Sequence, residues 1–267
     1  MKRLIVDCGA TKADWVLPGG KTVRTPGFNL AQTPEAQLSA ILSDAASRLG
    51  PGIDSIHFYA AGLVGEPPVD LGLWFPGAAV EYASDMLGAA RAVCGRVPGI
   101  AAIVGTGANT CQYDGREITR KVNCGGFIIG DEGSASVLGR LFITDYLKGF
   151  VPEALSTAFA REFQADYPTI VKNVYGGPAP ARYLGGFAPF LLSHYSTEEY
   201  VKNLVDNNFR GFFERAVGQY DHLPVGIVGG FGYACREILV RIGREYDIQI
   251  STIAASPLEG LLKYHAV

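Results

Sequence analysis

Two segments of this 267-residue chain follow one plan: a short apolar strand, a turn of glycine and threonine, and a second strand. In the first, Leu4-Ile5-Val6 runs into Asp7-Cys8-Gly9-Ala10-Thr11-Lys12 and resumes through Ala13–Leu17. In the second, Ala101–Val104 runs into Gly105-Thr106-Gly107-Ala108-Asn109 and resumes through Thr110–Tyr113 before Asp114-Gly115 reverses the chain. Short apolar runs bounded by turn residues read as buried strands, and each pair reads as a hairpin. A plan met twice in one chain points to a duplicated domain whose two turns face each other.

The remaining pattern is that of an α/β protein. Thr33 and Pro34 open a helix over 34–49, with Leu38, Ile41, Leu42, Ala45 and Leu49 as its apolar stripe and Gly50-Pro51 as its stop. Strands are expected over 53–60 and 79–83, followed by a helix from Met86 to Cys94. The stretch 134–220 is mostly helical by pattern, broken at Tyr175–Pro180 and Gly185-Gly186. Pro224–Val228 is a further buried strand ending in Gly229-Gly230, and Ser256-Pro257 open a last helix over 258–265 that can tie two lobes together.

Composition narrows the function. With 48% hydrophobic residues, the chain can bury roughly three quarters of its unfolded surface without a disulfide or structural metal. The formal charge of −3 arises from interspersed acids and bases, with no basic run to hold a nucleic acid or an anionic membrane. The five cysteines have no zinc or disulfide spacing, and the four histidines have no ligand spacing, so both read as structural or surface residues. The start, Met1–Asp7, enters a strand directly, and no apolar run approaches the ~20 residues that span a bilayer. A cytoplasmic protein is the expectation.

Glycine-threonine turns can aim several backbone N–H groups and a hydroxyl into one concavity, which binds phosphate without a lysine. Alone, each turn is equally an ordinary hairpin. Two copies, together with Gly229-Gly230 on a third strand, favour a nucleotide site. Neither a P-loop nor a dinucleotide fingerprint is present. Asp7, at the end of the first strand, can hold Mg²⁺ through its water shell or stabilise the turn. Asp85 stands where a strand ends, the place where open α/β sheets gather chemistry, and also where a helix cap belongs. Gly130-Asp131-Glu132-Gly133-Ser134 offers helix-start charges, a cap, or acceptors for sugar hydroxyls. Asn29, after Pro26-Gly27-Phe28, is a turn amide or a ligand contact.

The ordered set Asp7-x-Gly9-x-Thr11-Lys12, Gly105-Thr106-Gly107-x-Asn109 and Gly130-Asp131-Glu132-Gly133-Ser134 resembles the motifs of the N-acetylglucosamine kinase group. That group lies within the ATPase family containing the activators of benzoyl-CoA reductase and 2-hydroxyacyl-CoA dehydratase, in the actin/hexokinase superfamily. Asp145–Gly149, Arg182–Leu184, Phe187–Phe190 and Pro257–His265 are similar to its short bacterial branch, so the resemblance covers nearly the whole chain. It implies two ribonuclease-H-like (actin-like ATPase) lobes with nucleotide in the cleft: 1–101 joined by the C-terminal helix 257–267, and 102–256 with a helical insert. It also implies ATP and Mg²⁺ as cofactors and an amino sugar, N-acetylglucosamine or N-acetylmuramic acid, as substrate, with a homodimer left open. Gly9, Ala10, Thr11, Lys12, Thr106 and Gly107 would meet the ATP phosphates, Asp7 the magnesium, and Gly229-Gly230 the adenosine. Asp85 would be the catalytic base. Asn29, Asn109 and Asp131 would contact sugar, with Ala108 standing where related kinases often carry serine. The segment Gly126–Gly130 is shorter than in animal members, which places a difference beside the acyl group. Two other readings remain open: a reductase-activating ATPase, whose cluster site Cys124-Gly125-Gly126 resembles but whose second nearby cysteine has no counterpart before Cys235, and a non-catalytic sugar or nucleotide sensor.

Overall fold

The computed structural model describes residues 2–9, 11–63 and 65–266. The chain divides into two compact units, one of Met1–Pro98, Tyr113–Ile118 and Ser256–Val267, the other of Gly99–Gln112 and Thr119–Ala255.

The first unit is built on a five-stranded sheet of β1 (Arg3–Cys8), β2 (Lys12–Val16), β3 (Thr22–Pro26), β4 (Ser55–Ala60) and β5 (Ala79–Ser84), in the order β3-β2-β1-β4-β5. β1 pairs antiparallel with β2 and parallel with β4, and β4 pairs parallel with β5. Alternation along β1 sends Leu4, Val6 and Cys8 to one face, where they join Trp15, Phe58 and the buried stripe of α1 (Glu35–Leu49). Ile5 lies on the opposite face with Tyr59, Ala83 and Leu261, and there α2 (Asp85–Cys94) and the final helix, Leu258–His265, pack on each other and on the sheet.

The second unit repeats this order. β6 (Gly99–Val104), β7 (Ala108–Tyr113), β8 (Ile118–Val122), β9 (Val225–Val228) and β10 (Ile250–Ala254) run β8-β7-β6-β9-β10, with β9 parallel to both β6 and β10. Read from the hairpin edge, both sheets have the order third, second, first, fourth, fifth, which is the duplication that the repeated strand-turn-strand pattern suggests. Between β8 and β9 the chain forms α3 (Gly126–Ile129), α4 (Ala135–Leu147), α5 (Glu153–Phe163), α6 (Tyr167–Tyr175), α7 (Pro180–Gly185), α8 (Ala188–Ser193) and α9 (Glu199–Arg215). Their core is aromatic: Phe142, Phe159, Phe187, Phe190, Phe209 and Phe212 are buried with Ile227 and Leu239. After β9 come α10 (Gly230–Ala234) and α11 (Arg236–Glu245).

Three sequence expectations shift. The 34–49 helix begins at Glu35, because the Thr33 hydroxyl accepts the Asn29 N–H at 3.0 Å instead of capping the helix. The 53–60 strand begins at Ser55. A third strand, β3, follows the first hairpin: only Val23 and Thr25 of its five residues are buried, an alternation too short to read as a strand from sequence. Among the described residues, no helix is long and apolar enough to cross a membrane.

His265 closes a buried polar chain in the first unit. Arg91 Nη1 donates to Glu81 at 2.7 Å and to the Tyr59 hydroxyl at 2.8 Å, and the Tyr59 O–H lies 2.8 Å from His265 Nε2. With Arg91 donating to it, the Tyr59 hydroxyl keeps its own proton to offer to a neutral imidazole whose Nε2 is unprotonated. Burial, followed by the positive neighbours His57, Arg91 and Arg3 against the opposing pull of Glu81, pushes His265 down to about 4. The unfolded chain therefore binds more protons than the folded one between about pH 4 and 6.5, so this residue's contribution to stability is lost as pH falls through that window. Urea melts of wild type from pH 7 to 4.5 are expected to lose stability along this slope, and His265→Gln should flatten it; parallel profiles would exclude His265 as the titrating group.

Candidate active site

In the first unit, the β1–β2 turn is closed by the Gly9 N–H donating to the Lys12 carbonyl at 3.1 Å, while the Gly27 N–H donates to the Thr11 carbonyl at 3.1 Å. A side chain at Gly27 would stand 2.2 Å from the Gly9 carbonyl and 2.3 Å from the Lys12 nitrogen, so the end of β3 lies directly on this turn. Thr11 and Lys12 are exposed at its tip, and Ala10 lies outside the described residues. Asp7 sits at the strand end, opposite Asp14 in the hairpin register. Burial above all, then the charges of Asp14 and Asp85 against the opposing Lys12, push the Asp7 carboxyl up to about 7.

Asp85 is the first residue of α2. The cap of that helix is Ser84, whose Oγ accepts the Leu87 N–H at 3.2 Å, so the capping role open to Asp85 belongs to its neighbour. The parallel register Cys8–Ala60–Ser84 brings Asp7 and Asp85 to the same sheet edge, two strand spacings or about 10 Å apart in the pairing direction. Asn29 joins this edge because the adjacent Leu30 N–H donates to the Ala61 carbonyl at 2.9 Å, just beyond β4. Its own side-chain oxygen accepts the Ala31 N–H at 2.9 Å, which fixes the amide in a turn. The first unit thus gathers Asp7, Thr11, Lys12, Asn29 and Asp85 along one edge.

In the second unit, the carbonyls of Gly105 and Thr106 accept the Ala135 and Ser136 N–H groups at 3.0 and 3.1 Å, which satisfies donors at the start of α4 that have no partner within the helix. Ser134 caps α4, its Oγ accepting the Val137 N–H at 3.2 Å. Asp131 is therefore not the cap. Gly229 has φ 130°, and a side chain there would sit 2.2 Å from the Val104 carbonyl, so β9 ends hard against β6. Ile103 pairs with Val228, so the Gly105–Gly107 and Gly229-Gly230 turns leave one sheet edge from adjacent strands.

A hollow in this unit is lined by Ala108, Asn109, Cys124, Asp131, Phe212 and Arg215, among others. Asp131 takes a left-handed φ of 57°, which aspartate tolerates, and its N–H donates to the Cys124 carbonyl at 2.8 Å. Its carboxylate lies near the backbone of Ala108 and Gly126 and the Cys124 thiol, which favour its ionised form. Even so, burial, helped by the charge of Glu132, pushes it up to about 6. The Asn109 side-chain oxygen accepts the Thr110 N–H at 3.0 Å, and the Ala108 methyl is buried. A larger hollow, about 410 Å³, opens among Phe163, Asn173, Tyr183 and Phe187 and includes none of the expected site residues.

Sequence reasoning missed two residues here. Asn208 on α9 accepts the Gly133 N–H at 3.0 Å and donates to the Ser134 carbonyl at 3.1 Å, pinning the Gly130–Ser134 turn; an amide among the apolar residues of a helix is its only sequence signal. Asp14 is the other, an acid at the centre of an otherwise apolar strand.

No protein-family model and no curated protein matches the chain. Solved structures do. A provisionally named N-acetylglucosamine kinase from Porphyromonas gingivalis is 37% identical over 98% of both chains, with a TM-score of 0.89. A second protein so named, from Chromobacterium violaceum, is 21% identical over 98% of both chains, with a TM-score of 0.70. A glucokinase of the ROK family from Streptomyces griseus, solved with glucose and AMPPNP, is 15% identical over 99% of this chain and 98% of its own, with a TM-score of 0.55. The latter two likenesses concern the fold.

Two outcomes test this geometry. Ionised Asp131 is less favourable in the folded chain than in the unfolded one, so its contribution falls as pH rises from about 4 through 6. The melting temperature of Asp131→Asn should therefore gain on wild type across that range and hold its lead above pH 7; a constant difference would refute the assignment. Gly229→Ala should lose about 1–3 kcal/mol in urea denaturation, whereas Gly230→Ala, whose added methyl meets nothing within 4 Å, should stay within about 0.5 kcal/mol of wild type.

Proposed function

The chain belongs to the N-acetylglucosamine kinase-like family of sugar kinases, within the actin/hexokinase superfamily, and on that footing we propose that it phosphorylates an amino sugar, foremost N-acetylglucosamine, at the expense of ATP. The observation that carries this reading is the likeness to the Porphyromonas gingivalis protein across both units, joined to the presence in this chain of an acid-bearing sheet edge in the first unit and a glycine-lined edge in the second. N-acetylmuramic acid is the alternative substrate. The order of the motifs supports assigning the chain to the short bacterial branch of the activator-type ATPase family, with lobes at 1–101 plus 257–267 and at 102–256. The reading is of a cytoplasmic enzyme that works on small molecules, with no nucleic-acid or membrane partner.

Phosphoryl transfer asks a protein mainly for position and charge. The exposed Thr11 hydroxyl and the β1–β2 turn of Gly9, Ala10, Thr11 and Lys12, together with Thr106 and Gly107, meet phosphate oxygens in this scheme. Gly229-Gly230 take the adenosine side, where the lack of side chains permits close approach. Asn29, Asn109 and Asp131 hold sugar hydroxyls and the acyl group, and Ala108 contributes only its buried methyl. Asp85, with its helix already capped by Ser84, accepts the proton of the attacking hydroxyl.

Asp7 fits a magnesium ion. Burial and two neighbouring carboxylates oppose its negative charge, and a divalent cation would relieve that opposition. Magnesium keeps most of its waters and needs only one or two carboxylates. When bound with ATP it neutralises charge on the phosphates; the chain's own part is to aim Asp7 from a rigid strand end.

Asp85→Asn should lower kcat by about 10²–10⁴-fold while leaving ATP affinity near that of wild type, read by coupled ADP release with N-acetylglucosamine and by nucleotide titration. Turnover near the wild-type rate would remove Asp85 from the role. Absence of turnover by the wild-type protein on every member of an amino-sugar panel would remove the kinase reading itself.

A further inference from the structure

Asp14 is an acid at 1% exposure in the middle of β2, directly opposite Asp7. Like charges facing each other across a hairpin are destabilising, and a buried carboxylate is costly unless every oxygen is satisfied. Asp14 is only half satisfied. Its Oδ1 accepts from Arg24 Nε at 2.6 Å, but among the described residues its buried Oδ2 has no hydrogen bond, and the Lys12 ammonium lies 3.3 Å from it. Both cations reach in from solvent, and Lys12 belongs to the exposed start of β2 rather than to the core.

The unfilled Oδ2 of Asp14 lies on the same sheet face as Asp7, since residues paired across a hairpin point the same way, with side chains about 5 Å apart at Cβ. That spacing suits two carboxylates sharing one hydrated divalent cation.

We propose that Asp14 and Asp7 together form the seat of the divalent cation, with Lys12 as the cation's stand-in at Asp14 until nucleotide draws the ammonium to its phosphates. Resting on the kinase reading for the source of the cation, this adds Asp14 as a second carboxylate and gives Lys12 two alternating partners.

The test is Mn²⁺ binding to the intact protein without nucleotide, followed by electron paramagnetic resonance. Asp14→Asn should weaken Mn²⁺ at least tenfold, and Lys12→Met, which removes the competing ammonium, should tighten it several-fold. Unchanged Mn²⁺ affinity in a folded Asp14→Asn overturns the proposal; if that variant does not fold, failure of Lys12→Met to tighten Mn²⁺ overturns it equally. The kinase reading fails separately: a wild-type protein that phosphorylates no amino sugar, yet whose Mn²⁺ affinity depends on Asp14, keeps the seat and loses the activity.

Discussion

In each unit a hairpin is joined to two parallel strands, and the parallel register decides where every functional loop leaves the sheet. Cys8, Ala60 and Ser84 are neighbours across three strands, so Asp7, Asn29 and Asp85, far apart in sequence, end at one edge. A slip of one residue along β1 would turn Asp7 into the core of Trp15 and Phe58 and bring Val6 or Cys8 to the α2 face. The apolar alternation of β1 thus fixes the orientation of the acid as firmly as any contact of the acid itself. In the second unit the same constraint sets the turns after β6 and β9 side by side, and the approach is so close that only glycine fits at 229.

The net charge of the chain says little about its site, where charge is concentrated against burial. Asp7 and Asp131 are both held above the ordinary carboxylate range, yet by different surroundings. Asp7 faces other carboxylates, which a cation can offset. Asp131 has neutral neighbours, the backbone of Ala108 and Gly126 and the Cys124 thiol, which favour ionisation but, among the described residues, come with no ion pair to lock it ionised. Such a carboxyl remains adjustable near neutral pH.

The duplicated plan, the α/β class, the strand-end position of Asp85 and the final helix were legible because each rests on local signals: apolar runs, turn residues and caps. Residues whose roles depend on register were not. Asp14 reads as one acid in a strand until β1 is laid against β2, and only then does it face Asp7. Asn208 lies some 75 positions from the turn it pins, and no periodicity links the two. Helix starts also misled, since Thr33 is a good cap by type but is engaged by Asn29, while Ser84 and Ser134 do the capping that the neighbouring acids offered by sequence. Local chemistry names the candidates, and tertiary hydrogen bonds choose among them.

The short segment before Asp131 couples an exposed apolar surface to the backbone that carries that acid. Gly126 lies near the Asp131 carboxylate, and two and three residues later Ile128 and Ile129 stand 68% and 83% exposed on the same four-residue helix. Gly130 closes the turn through its N–H to the Gly126 carbonyl at 2.8 Å, and a side chain at Gly130 would collide with the Cys124 carbonyl. The turn that carries Asp131 and the exposed Ile128 and Ile129 are built by the same few residues, so a change of length in this segment would move both.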